Sequence, residues 1–239
     1  MNIFDVHSHI LPGLDDGAST ERQALLMLKE ARRQGIREII ATPHYSVFYK
    51  NDDADLIRGK CRRIEKIAAV HNIGVRVYPG QEIMYSERIP DMLAEGKLLT
   101  LAGSRYVLLE FYPGAPRSLI THAVREVAGR GFRPVLAHAE RYTALRDADH
   151  FADLTAQGAY IQMNFRPAGG KWYDAATRRC RKLLKDGSVH FLGTDMHNMS
   201  SRRPETKEAL GWMQRHLERE YIRDLIRGNA EKILSDQKI

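Results

Sequence analysis

The chain has 239 residues, 43% of them hydrophobic, and a net charge of +7 with a sequence pI near 9.4. That is enough apolar material for a full-sized core, yet no apolar run approaches the ~18 residues of a bilayer span. Membrane insertion is therefore not expected. The opening MNIFDVHSHI, with a carboxylate and two histidines, is unlike a leader, so a cytoplasmic protein is expected.

Short runs rich in branched residues recur along the chain, each followed by turn residues and an amphipathic stretch. Strands are predicted over 3–6, 38–41, 75–78, 106–109, 134–137, 160–163 and 189–192. Between the first two, Thr20 precedes ERQALLMLKEARRQG. Gln23 stands at the capping-box position, Leu25, Leu28 and Ala31 recur at helical spacing, and Gly35 closes the helix. Further helices are predicted over 52–71, 118–130, 143–157, 174–185 and 204–216, and the segment from Glu218 onward reads as packing. The basic runs RRQGIR, RGKCRR and RRCRK read as solvated helix faces, and no nucleic-acid-binding signature accompanies them.

Strands alternating with helices imply a parallel sheet with right-handed crossovers. No linker or composition break interrupts the chain, so 1–239 reads as one domain. The expected fold class is α/β, a closed or distorted β/α barrel, because candidate functional residues come from nearly every strand.

His7 and His9 lie two residues apart on strand one, and period two puts both on one face. The other strand ends carry His44, Glu82, Glu110, His138, and the pair Asp195 and His197. Six of the seven predicted strands thus deliver a His, Asp or Glu at the same end. An apolar core has no use for so many unpaired polar groups. Mixed imidazole and carboxylate ligation suits zinc, manganese or iron(II), and eight candidate ligands exceed the needs of one ion. Cys61 and Cys180 form no CxxC pair, and neither has Arg six residues later, where Ile67 and Asp186 stand. A cysteine-phosphatase loop is excluded.

These residues lie in DVHSHILPGLDDG (5–17), IIATPHY (39–45), PGQEI (79–83), LLEF (108–111), AHAER (137–141) and GTDMHN (193–198). With these motifs the chain resembles the polymerase and histidinol phosphatase superfamily over nearly its whole length. Within it, the chain is similar to the bacterial manganese-dependent protein tyrosine phosphatases of capsule and exopolysaccharide operons. The resemblance implies a distorted (β/α)₇ barrel with a trinuclear site. His7, His9, Glu82 and Asp195 would hold the first ion. Asp16, His44 and His197 would hold the second, and Glu82, Glu110 and His138 the third. Asp15 is a rival for the Asp16 position. Mn²⁺ is the expected metal, as two or three divalent ions, with Fe, Zn, Co or Mg as alternatives. Ala139 and Met196 depart from the usual residues of the motifs, but neither is a ligand position.

Arg141 and Arg202 match positions that such enzymes use for phosphate, with Arg203 an alternative to Arg202; guanidinium binds phosphate bidentately. The implied reaction is phosphotyrosine hydrolysis by attack of a metal-bridging hydroxide. Carboxylates Asp16, Glu82, Glu110 and Asp195 contribute −4, three divalent ions +6 and hydroxide −1, so the full site totals +1 and attracts a phosphate dianion, whereas two ions leave −1. The implied partner is a phosphotyrosine protein, the C-terminal tail of a bacterial tyrosine kinase controlling polysaccharide export, with no nucleic-acid partner. The rival readings are a small-molecule phosphatase, such as histidinol phosphatase, and a nuclease of the same superfamily. Tyr45, Phe48, Tyr49 and Tyr112, on proline-bearing or aromatic loops, are candidates to line a groove for a tyrosine ring.

Overall fold

A computed structural model describes residues 2–145 and 148–239. The chain begins with strand β1 (Ile3–Ser8), helix α1 (Glu21–Arg33) and strands β2 (Ile36–Ala41) and β3 (His44–Tyr45). Then come α2 (Ala54–Val70), β4 (Arg76–Pro79), β5 (Glu82–Met84), α3 (Ile89–Ala94), β6 (Tyr106–Glu110), α4 (Arg117–Gly129) and β7 (Arg133–Leu136). The remainder holds α5 (Ala148–Ala156), β8 (Tyr160–Asn164), α6 (Phe165–Gly169), α7 (Ala175–Lys185), β9 (Phe191–Gly193), α8 (Lys207–His216), α9 (Arg219–Arg223) and α10 (Asn229–Leu234). Every strand pairing is parallel, in the orders β1-β2-β4 and β3-β5-β6-β7-β8-β9.

The two sheets form one curled wall. β9 returns to β1 through the bridge between Ser8 and Met196, with Asp195 N–H donating to His7 O (2.8 Å) and His9 N–H to Met196 O (3.0 Å). Buried Asp5 reinforces this seam by accepting from Thr194 N–H and Oγ1–H at 2.9 and 2.5 Å. The result is the expected distorted barrel of seven strand positions. Positions two and three are each broken in two, as β2/β3 and β4/β5. Pro43 has no N–H for the ladder, and at Gly80 a Cβ would lie 2.8 Å from Ile40 Cγ2. Both breaks fall where a candidate ligand follows, at His44 and Glu82. The last predicted strand runs later than expected, over Phe191–Gly193 rather than 189–192.

Phe4, Val6, Ile40, Tyr106, Leu108, Val135 and Phe191 fill one cluster, and the helices pack their apolar faces outside the wall. α1 starts at Thr20, whose hydroxyl accepts from Gln23 N–H, and buries Ala24, Met27, Leu28 and Ala31. Each such Leu or Met contributes about 2 kcal/mol by leaving water. The Gln23 side chain reaches Ser19 rather than Thr20, so the reciprocal half of the box is displaced by one residue. Gly35 ends the turn at φ 98°, where a Cβ would be strained. The predicted helix over 143–157 is shorter than expected: a 3₁₀ turn covers Thr143–Leu145 and α5 starts at Ala148, while Arg146 and Asp147 lie outside the described residues. No helix among the described residues is long and apolar enough to cross a membrane.

His190, at the start of the β9 seam, is largely buried edge-on against Tyr160, and its Nδ1 accepts from Ile161 N–H. Burial pulls its pKa down to about 4. A histidine depressed in the folded state supports the fold above the unfolded pKa near 6.5 and loses that support as pH falls toward 4. The expected loss at pH 4 is on the order of 3 kcal/mol. Urea unfolding at pH 7 and pH 4 measures it. His190→Gln, which keeps an acceptor and takes no proton, should lose less stability over that interval than the parent. Equal losses would remove His190 from the account.

Candidate metal centre

The carboxyl ends of the strands converge on Glu82. β5 buries its side chain to 1% exposure, and four imidazole nitrogens face its two oxygens: His7 Nε2 at 3.1 Å, His9 Nε2 at 3.2 Å, His44 Nδ1 at 3.1 Å and His138 Nε2 at 2.9 Å. Neither oxygen accepts a hydrogen bond within the described residues. Burial alone would raise this carboxyl; His7, His138 and His9 hold it well below the carboxylate range.

The tautomers explain the crowding. His7 Nδ1 faces Gln162 Oε1 at 3.1 Å, and that oxygen also accepts from His138 N–H at 2.6 Å, so His7 Nδ1 carries the proton. His9 Nδ1 donates to Asp15 Oδ2 (2.7 Å), and His197 Nδ1 to the Asp195 carbonyl (2.9 Å). Each ring then presents its Nε2 toward carboxylate oxygens, and against its burial Asp15 and Glu82 hold His9 well above the ordinary imidazole value. His7 Nε2 and His9 Nε2 are 3.2 Å apart, and His197 Nε2 is buried without a hydrogen-bond partner. Donor atoms this close need a cation between them, whether protons on the imidazoles or a metal ion that displaces those protons. Donors about 2.1 Å from an ion lie about 3.0–3.4 Å from one another, which is the spacing here. Imidazoles whose far N–H donates to a fixed acceptor are the usual arrangement around a metal. The donor set therefore fits divalent ions.

Three groups have donor atoms within 4.8 Å of one another: His9, Asp16, His44 and His197; His7, His9 and Asp195; and His44, Glu82 and Glu110. All nine expected ligand residues are thus drawn together, with His138 Nε2 also 3.3 Å from Glu110 Oε1. The groups overlap at residues that the expected division assigns to one ion each. His9 sits between two groups, and so does His44, whose Nε2 faces Asp16 (3.5 Å) while its Nδ1 faces Glu82 and Glu110. The geometry favours Asp16 over Asp15. Asp15 is engaged with His9 Nδ1, His44 N–H and Gly17 N–H, so it orients rather than faces the centre.

Local backbone makes this possible. Between the pairs Asp5–Ile39 and Ser8–Ala41, Val6 and His7 stand opposite Ile40 alone, a bulge that lets Val6 stay in the core while His7 reaches the centre. His138 and Asp195 hold left-handed backbone at φ 31° and 52°, which costs about 1–3 kcal/mol each. A Cβ on Gly193 would lie 2.6 Å from His7 Cβ. β8, the one barrel position of the seven without a predicted ligand, supplies Gln162 and Asn164; Asn164 Nδ2 donates to Asp195 Oδ2 at 3.0 Å. Met196 is buried in the core, away from the centre.

Both expected arginines arrive. Arg141 Nη2 donates to Asp195 Oδ2 (2.5 Å) and Arg202 Nη2 to Asp195 Oδ1 (2.7 Å). Arg202 is presented by a folded loop rather than a loose one, since Asn198 Oδ1 accepts from Ser200 and Arg202 N–H and Arg202 O accepts from His197 N–H. Arg203 turns away to Glu205 (2.6 Å). A cavity of about 410 Å³ opens beside Asp195, lined by Arg141, Arg202, Asn164, Glu140 and Ala176. On the other side, Tyr45 and Tyr112 line a groove, Tyr49 stacks on His44 at 5.6 Å and Phe48 is 81% exposed. Trp172 and Tyr173, also exposed, were not singled out by the sequence.

The profile of the family described as "Capsular polysaccharide synthesis, CpsB/CapC" matches residues 3–235. The chain belongs to the CpsB/CapC family. Among curated relatives, tyrosine-protein phosphatase YwqE of Bacillus subtilis (strain 168) is 32% identical over 240 residues, covering 99% of this chain and 93% of its own. Tyrosine-protein phosphatase CpsB of Streptococcus pneumoniae is 29% identical over 243 residues, 99% and 100% respectively. A solved structure from work on YwqE and CpsB, there described as unique metal-dependent tyrosine phosphatases, matches with TM-score 0.90 at 30% identity, covering 100% of this chain and 96% of its own. The CpsB/CapC match spans the full set of strand ends that form the centre.

Proposed function

We propose that this chain is a single-domain, cytoplasmic, metal-dependent protein tyrosine phosphatase, with Mn²⁺ as its metal and a phosphotyrosine tail of a capsule-controlling tyrosine kinase as its substrate. The observation that carries this is Glu82, a buried carboxylate with no hydrogen-bond donor, ringed by four imidazoles in a family whose relatives bear that activity in their names. His7, His9, Asp16, His44, Glu82, Glu110, His138, Asp195 and His197 are the proposed ligands. Divalent ions held there would lower the pKa of bound water and neutralise phosphoryl oxygens. Arg141 and Arg202 fix the phosphate from the cavity side through paired N–H donors. Gln162, Asp15 and Asn164 hold the imidazoles and Asp195 in place. The groove beside Tyr45 and Tyr112 admits the tyrosine ring and the chain that carries it.

The competing reading is a small-metabolite phosphatase. That chemistry gains from closing over the ligand and excluding water, whereas here exposed aromatics rim an open groove. With purified metal-loaded protein, kcat/KM for a phosphotyrosine peptide should exceed that for histidinol phosphate by at least about tenfold. It should fall as salt is raised, because encounter with an anion is steered by the basic surface. A better rate on histidinol phosphate would keep the metal centre and reject the phosphotyrosine assignment.

A further inference from the structure

Most surface arginines in this chain answer to a carboxylate: Arg33 to Glu30, Arg63 to Glu21, Arg117 to Asp153, Arg130 to Asp91 and Arg227 to Glu231. α7 is different. Its exposed face carries Arg178, Lys182 and Lys185, and Arg181 and Arg215 lie alongside. Among the described residues none of these five is in an ion pair. Like charges at i, i+4 spacing disfavour a helix, so this face is kept against its local cost. Arg181 and Lys185 lie over the Trp212 ring at 5.0 and 5.9 Å, which fixes their stems without neutralising them. Burial and then the like charge of Arg215 pull the Arg181 guanidinium below its ordinary value.

The first turn of α7 borders the proposed phosphate cavity, while the strip runs along the outer face of the helix, away from the side that Ala176 presents. Ala176, in the first turn of α7, lines that cavity together with Arg141, Asp195 and Arg202. Exposed Trp172 and Tyr173 precede the helix, and Arg178 Nη1 donates to the Tyr173 carbonyl. At about 1.5 Å per residue, Ala176 to Lys185 spans roughly 13 Å. An extended peptide covers that distance in about four residues. Asp174 and Asp186 close the two ends of the strip, which suits a short acidic segment better than a broad anionic surface.

We propose that the exposed face of α7 is a docking strip for an acidic segment flanking the target phosphotyrosine, with its carboxylates on Arg178, Lys182 and Lys185. This rests on the phosphatase reading above. The strip lies outside the metal centre, so it selects among substrates and leaves the chemical step alone.

Phosphotyrosine peptides with neutral flanks, and with Asp and Glu within about five positions on either side, test this on metal-loaded protein. The parent should favour an acidic peptide by about tenfold in kcat/KM, less at high salt. Arg178→Glu/Lys182→Glu/Lys185→Glu should lose that preference while turning over the neutral peptide and p-nitrophenyl phosphate as before. The milder Arg178→Ala/Lys182→Ala/Lys185→Ala variant should lose most of it. Fluorescence anisotropy with the unphosphorylated acidic peptide reads the strip without chemistry: the parent binds and the reversed variant does not. Equal treatment of acidic and neutral peptides by the parent, an intact preference in the reversed variant, or α7-dependent binding of phosphatidylserine vesicles in place of peptide would each overturn the strip. Retained acidic-peptide binding with no turnover of any phosphotyrosine peptide would uphold the strip and reject the phosphatase reading.

Discussion

Replacing Glu82 with Gln should lower phosphotyrosine-peptide turnover by at least about 10³-fold and reduce the metal that copurifies, with the fold retained. Gln has the size of Glu, so the packing of β5 against β6 is kept. What is lost is the charge that four imidazoles share. Glu82 is the one candidate ligand within 3.2 Å of four histidines, so its removal weakens more than one ion position. Elemental analysis and steady-state kinetics on the same preparation check both halves. Full metal content with unchanged turnover would mean that the imidazoles around Glu82 serve only the fold.

Arg141→Ala and Arg202→Ala should each cut kcat/KM by roughly 10²-fold, the scale of losing one partner to transition-state charge, with metal content unchanged. Both guanidiniums meet at Asp195, on separate oxygens. The two residues share a partner, so the double variant should depart from the sum of the single losses. Asn164 remains on Asp195 Oδ2 in either single variant and keeps that carboxylate oriented. Unchanged kinetics in both single variants would return the arginines to structural ion pairing. A loss of metal equal to the loss of rate would assign them to holding Asp195 rather than phosphate.

The barrel was legible because parallel strands buried on both faces read as branched apolar runs, and 3–6 and 106–109 fall inside β1 and β6. The candidate ligands were legible because charged and imidazole side chains are out of place at the ends of such runs. The broken strand positions were not. The break at Gly80 depends on the approach of Ile40, a contact 40 residues away in sequence. Gln162 and Asn164 were also missed, since neutral amides on a strand carry no signal until a histidine and an aspartate are seen beside them. Asp15 and Asp16 are adjacent in sequence, and only the fold shows that one orients His9 while the other faces His44 and His197. RRCRK lies on α7 with Arg178 and Lys182 exposed, as the sequence suggested for a solvated face.

The most direct test of the metal centre is removal and return of the metal on one protein sample. Chelation should abolish hydrolysis of a phosphotyrosine peptide, and titrated Mn²⁺ should restore it with a break at two or three equivalents. Alkylating reagents should leave the rate unchanged, because Cys61 and Cys180 are buried and burial pushes the Cys61 thiol up to about 12. Full turnover by protein that elemental analysis shows to be free of metal, or inactivation by alkylation with the ions still bound, would contradict it.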